Sequence, residues 1–93
     1  LVGRAREMYI SGGENVYPAE IEAVLLTHPD IAEAAVVAVP DPVWGEVGRA
    51  HLVALPGRTL APDAIAAWLG PRLARFKQPR AFVLEASLPR TAS

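Results

Sequence analysis

With 93 residues the chain has room for one small domain and a modest core. Nine basic and ten acidic side chains leave a net charge of −1, which sets up no long-range field for nucleic acid or an anionic membrane. The absence of cysteine excludes a disulfide framework and a thiolate metal site.

Met8-Tyr9-Ile10-Ser11 predicts a short strand, and Gly12-Gly13-Glu14-Asn15 a turn after it. Pro18 suits the first position of a helix, where its missing N–H would have no partner, and Glu20 favours the positive end of the helix dipole. Ile21, Val24, Leu25 and His28 fall at i, i+3, i+4 and i+7. That stripe predicts a helix from about Pro18 to Thr27, ended by His28-Pro29-Asp30. Ile31 to Val39 is rich in Ala and Val and apolar on both faces towards its end, which suggests an inner strand. Pro40-Asp41-Pro42 closes it, with Trp44-Gly45-Glu46 in the connection. Val47 to Leu55 alternates up to Pro56-Gly57 and predicts a second strand, near enough to pair with the first as an antiparallel hairpin across a long loop. A second helix begins near Pro62 and turns Ile65, Trp68 and Leu69 inward, with Leu73 continuing the stripe. Gly70-Pro71 breaks or kinks it, because proline removes a donor and crowds the preceding turn. Ala81 to Glu85 predicts a third strand, and Leu88 to Ser93 an extended or disordered end. The sum is an α+β fold: a small mixed β-sheet of about three strands packed by two main helices, with an N-terminal β-hairpin and glycine loop.

No apolar run approaches the roughly 20 residues that span a bilayer, and Leu1 to Glu7 lacks the long apolar region of a signal peptide. These observations fit a cytoplasmic location. His28 and His51 are too few and too separated to suggest a metal site. Glu14, Glu20, Glu22 and Glu33 show no pairing that demands acid–base catalysis. Glu20 and Glu22 read as helix-start residues and solvated face. Phosphate-loop, nucleophile-elbow and His-Glu-x-x-His motifs are all missing.

Two constellations carry candidate chemistry. Gly12-Gly13 lets a narrow ligand lie close to the main chain where any Cβ would collide, although a glycine pair is most often only a turn. Trp44 and Arg75-Phe76-Lys77-Gln78-Pro79-Arg80 offer aromatic faces beside cations, a combination that stacks bases and neutralises phosphates. The plainer alternative is that Trp44 plugs a loop and Phe76 ends a helix.

The order Gly3-Arg4-Ala5-Arg6, strand, glycine pair and Tyr17-Pro18-Ala19-Glu20-Ile21-Glu22 resembles the hinge and glycine loop of adenylate-forming enzymes. These are the superfamily of acyl- and aryl-CoA ligases, luciferases and peptide-synthetase adenylation domains. The likeness extends through the Val39-Pro40-Asp41-Pro42-Val43-Trp44-Gly45 loop, the 75–80 segment and the terminal Leu88-Pro89-Arg90-Thr91-Ala92-Ser93. It implies a single C-terminal lid domain over 1–93, with a hinge in 1–7 and a strand and glycine loop in 8–16. It also implies a partner, the N-terminal domain of the same enzyme, which binds the carboxylic acid and most of the ATP with its Mg. Arg6 matches the hinge position and Arg4 an arginine that reaches the nucleotide. Gly12, Gly13, Trp44, Phe76, Lys77 and Arg80 are implied CoA contacts, with the glycine loop walling the tunnel for the pantetheine arm. Gln78 stands where some relatives carry a cation.

The implied activity is ATP-dependent acid–CoA ligation, of the type used in fatty acid metabolism, in which an acyl-adenylate forms and CoA thiol then displaces AMP. In the resembling family a glycine and a catalytic lysine follow Pro-Arg-Thr-Ala-Ser, beyond Ser93. No catalytic residue is therefore expected within 1–93, and the chain alone is expected to be inactive. One charge about 4 Å from a reacting phosphate is worth roughly 4 kcal/mol at an effective dielectric of 20. Losing one such preorganised group costs on the order of 10²–10³ in rate. A non-catalytic interaction module that kept the fold, or the lid of a luciferase-like or carrier-protein-loading enzyme, are the alternatives.

Overall fold

The structure is a computed structural model, and it describes residues 7–88. Arg4, Arg6 and the terminal Pro89 to Ser93 lie outside the described residues.

The chain starts with an antiparallel hairpin, β1 (Tyr9–Ser11) and β2 (Glu14–Val16), in which Tyr9 faces Val16 and Ser11 faces Glu14. Glu14 and Asn15 belong to β2, so the turn is tighter than the sequence suggested: only Gly12 and Gly13 form it. Their φ values of 57° and 84° are both left-handed, the backbone of a two-residue turn that continues the twist of its strands. Tyr9, Ser11 and Val16 point inward, whereas Ile10 points to solvent.

Helix α1 (Pro18–Leu25) follows, with Pro18 at its start and no side-chain cap on Tyr17. Ile21 and Leu25 are fully buried on its inner face. It ends two residues earlier than expected. The amides of Thr27 and His28 bond three residues back, to Val24 and Leu25, so the last turn tightens before Pro29.

Strands β3 (Ile31–Asp41) and β4 (Gly45–Ala54) pair antiparallel, and β5 (Ala81–Leu84) joins β4 in parallel, giving the order β3-β4-β5. Ile31 to Val39 is therefore an edge strand, and the inner strand is β4. At the middle of that edge stands Glu22. Its carboxylate accepts the Val36 N–H at 2.8 Å, and the residue is only 9 % exposed. Glu22 is thus not part of a solvated face: an edge amide with no strand to pair with needs an acceptor, and α1 delivers one. Glu20, two residues earlier in α1, is exposed as expected.

The β3–β4 connection is short rather than long, since Asp41 already faces Gly45 and only residues 42–44 lie between them. Helix α2 (Pro62–Leu69) runs into a 3-10 turn at Gly70–Arg72, where Pro71 ends regular α-helix. The Gln78 side-chain amide donates to the carbonyls of Leu69 at 3.2 Å and Leu73 at 2.8 Å, supplying partners at this helix end. A second 3-10 turn, Arg75–Lys77, leads to β5.

One face of the sheet, through Val36, Ala50 and Leu52, meets Ile21 and Leu25 of α1, Ile65 and Leu69 of α2, and Tyr9 and Val16 of the hairpin. Truncating a buried Leu or Ile of this kind to Ala costs about 2–5 kcal/mol. The hairpin is held close because Gly48 lacks a side chain: a Cβ there would lie 2.5 Å from the Tyr9 hydroxyl oxygen. On the opposite face, His51 bonds the Glu85 carboxylate through Nδ1 at 2.6 Å and accepts from Arg49 Nε through Nε2 at 3.1 Å. That pattern assigns the ring proton to Nδ1. Among the described residues no helix is long and apolar enough to cross a membrane.

Candidate functional site at the glycine hairpin

The glycine turn, the β3–β4 loop and the segment before β5 converge on the indole of Trp44. The loop is shaped by Asp41, whose Oδ2 accepts the N–H groups of Val43 at 3.0 Å and Trp44 at 2.9 Å. An aspartate followed by proline is a strong turn opener, because the carboxylate stands in for the missing backbone acceptor. The Trp44 carbonyl then accepts the Gly12 N–H at 2.9 Å, joining loop to hairpin.

The ring lies directly on the glycine. A Cβ built on Gly12 would sit 2.5 Å from Trp44 Cε3 and 2.8 Å from Cζ3, distances that real side chains do not tolerate. Gly13 faces open space, so it serves the turn geometry and leaves bare backbone exposed. The Arg80 guanidinium carbon stands 5.3 Å from the Trp44 ring centroid, within cation–π range. The Arg80 backbone N–H is fixed to the Gly48 carbonyl at 2.8 Å, so the arginine leaves from a rigid rung beside β4. Trp44 remains 44 % exposed, with Val43 and Ile10 among the exposed apolar side chains of the same loop and hairpin.

Gly12, Trp44 and Arg80 are therefore brought together, with Gly13 beside them. Phe76 and Lys77 have different surroundings. The Lys77 ammonium bonds the Glu20 carboxylate of α1 at 2.9 Å and lies 5.5 Å from the Phe76 ring centroid. Phe76 is 39 % exposed on a turn that packs near β2. Both keep to the hairpin side of the domain, but the contacts of Lys77 run to α1.

Three residues hold structural roles that sequence reasoning did not assign. Asp41 was legible as a turn residue, and the Asp-Pro step was the signal for it. Tyr9 was seen only as a strand residue, yet its hydroxyl packs on Gly48. Burial, and secondly the Glu46 carboxylate, raise its phenol above the usual 10.0. Glu22, already described, gave no local signal, since its partner lies 14 residues away.

The site is a solvent-open platform of bare backbone, one indole and one guanidinium on a small α+β domain. The model of the AMP-binding enzyme C-terminal domain matches residues 20–93, and the chain belongs to that family. It is 53 % identical over its whole length to a methyl-dioxo-octahydroindenyl-propanoyl:CoA ligase of Rhodococcus jostii, of which it covers 18 %. It is 46 % identical over its whole length to a feruloyl-CoA synthase of an Amycolatopsis species, of which it covers 19 %. The crystal structure of apo MatB from Rhodopseudomonas palustris superposes with a TM-score of 0.87 at 37 % identity, over 97 % of this chain and 18 % of that one. The chain thus spans less than a fifth of the length of these relatives.

Proposed function

We propose that this domain is the mobile C-terminal part of an ATP-dependent carboxylic acid–CoA ligase, and that the face it offers is the one used for thioester formation. In the first half-reaction a carboxylate oxygen attacks the α-phosphorus of ATP, giving acyl-adenylate and pyrophosphate. In the second, CoA sulfur bonds to the acyl carbon, the C–O bond to AMP breaks, and the thiol proton is lost. The observation that carries this reading is the Gly12–Trp44–Arg80 cluster. A pantetheine arm is narrow, flexible and flanked by phosphates, and it calls for unobstructed backbone, a flat apolar wall and a nearby cation. Gly12 and Gly13 supply the first, Trp44 the second and Arg80 the third. Phe76 and Lys77 extend the surface towards the nucleotide end of CoA.

The acid, ATP and Mg are held by the remaining length of such an enzyme, so the 93 residues alone do not ligate. The identity of the acid is set there too. Arg4 reaches the nucleotide, and Arg6 is the pivot about which the domain rotates between half-reactions. CoA favours the orientation that presents the hairpin because only there does it touch Gly12, Gly13 and Trp44.

The test is an ATP–pyrophosphate exchange screen of the enzyme that contains this domain, over acids of different lengths, followed by addition of CoA. In that enzyme Arg6→Pro should lower thioester formation on the order of 10²-fold relative to exchange. Equal loss of both steps refutes the pivot. Product with a phosphopantetheinyl carrier protein and none with CoA would reassign the acceptor. Absence of exchange with every acid would leave a non-catalytic interaction module.

A further inference from the structure

We infer that Asp41 is a positioning residue for the acceptor channel, holding Trp44 against Gly12 without itself touching the acceptor; this rests on the thioester reading above. Five contacts carry it. One carboxylate oxygen takes the N–H groups of both Val43 and Trp44, at 3.0 and 2.9 Å. Neither amide has a strand opposite it, because residues 42–44 are the loop itself. A charged acceptor bonds such amides more tightly than a neutral carbonyl does. Trp44 is thus held in both of its peptide planes: its N–H is bound by Asp41, and its carbonyl, in the following plane, accepts the Gly12 N–H at 2.9 Å. The same fixed backbone lays the indole on Gly12 so closely that no Cβ fits, and Arg80 stands over the ring at 5.3 Å.

Asp41 therefore sets where the flat wall of the channel lies relative to the bare turn. Without it, the two amides turn to water, the loop gains freedom, and the ring samples positions away from the glycine. A binding wall that must be ordered by the ligand weakens the ligand's hold, since ordering opposes association. An effect through ring placement falls on the acceptor alone. A general loss of stability would fall on all substrates alike.

The decisive variants are Asp41→Ala and Asp41→Asn in the enzyme containing this domain, compared with Glu22→Ala, which removes the acceptor of the Val36 amide at the β3 edge. Asparagine keeps a side-chain oxygen able to close the same turn. Asp41→Ala should raise the KM for CoA about five- to tenfold, leave the KM for ATP and for the acid within about twofold, and be restored by Asp41→Asn. In the 93-residue chain, hydrogen exchange of the Gly12 amide should speed up about tenfold in Asp41→Ala and stay near wild type in Asp41→Asn. A KM for CoA unchanged by Asp41→Ala, or one that moves with the other two as it does in Glu22→Ala, overturns the assignment. If the wild-type enzyme makes no CoA thioester, the functional reading falls by itself. Gly12 exchange then decides the placement: acceleration upholds it and unchanged protection overturns it.

Discussion

Gly12→Ala tests whether the indole is seated on the turn as tightly as the structure has it. The substitution has two costs that can be separated. The first is conformational: alanine at φ 57° pays about 1 kcal/mol for a left-handed backbone. The second is steric, because the new methyl would lie 2.5 Å from Trp44 Cε3 and the ring must leave. Trp44 is 44 % exposed, so somewhat more than half of it is covered. An aromatic side chain buries on the order of 200 Å², so expulsion exposes about 100 Å² and costs up to ~2.5 kcal/mol. The Arg80 contact adds about 0.5 kcal/mol at an exposed site. Gly12→Ala alone should then cost about 2–4 kcal/mol, and only ~1 kcal/mol when Trp44 is already alanine. Urea unfolding of the 93-residue chain, its Gly12→Ala and Trp44→Ala variants and the double variant closes the cycle. A coupling energy below about 0.5 kcal/mol would refute the packing of ring on glycine.

Glu22→Ala should cost about 1–3 kcal/mol in the same unfolding assay, because it leaves the Val36 amide at the β3 edge without its acceptor. The Tyr9 phenol is raised by burial and then by Glu46, and below pH 10 it is neutral in folded and unfolded chains alike, so its contribution is fully present there. Above pH 10 the unfolded phenol ionises first, and stability falls as the pH rises through the folded value; Tyr9→Phe should flatten that alkaline slope in urea titrations. A double-mutant cycle on Lys77 and Glu20 should give only about 0.2–1 kcal/mol, falling with added salt, since the pair is partly exposed.

The elements that declared themselves in the sequence are those with local causes. Pro18 and Pro62 each start a helix where a proline is best tolerated, and the Ile21–Leu25 stripe buries as its spacing predicts. Gly12-Gly13 makes the hairpin because both positions need positive φ. The order of the sheet was not legible in the same way. An Ala- and Val-rich strand apolar on both faces looks internal, yet β3 lies at the edge, with only Ile31 and Val36 buried, and the Val36 amide bonds the Glu22 carboxylate of α1. The long loop was an error of scale: Asp41 turns the chain in three residues by replacing backbone acceptors with its own oxygen. Of the site, Gly12, Trp44 and Arg80 carried a family resemblance and meet in space. Lys77 carried the same resemblance, and its ion pair with Glu20 lies 57 residues apart in the chain, beyond the reach of local pattern.

The parallel pairing of β5 with β4 has a consequence for how the domain assembles. The β3–β4 hairpin closes through a three-residue connection, so its register can form within about 1–10 μs. Arg49 meets Ala81 only after the whole α2 crossover has been brought round, and the entropy of that closure comes before any reward. Arg80, one residue before β5, consequently reaches the indole at the end of the folding reaction. The glycine turn and Trp44 can be in place while their cation is still absent. Of the three groups that meet at the indole, Arg80 is thus the one whose place depends on the longest closure in the chain.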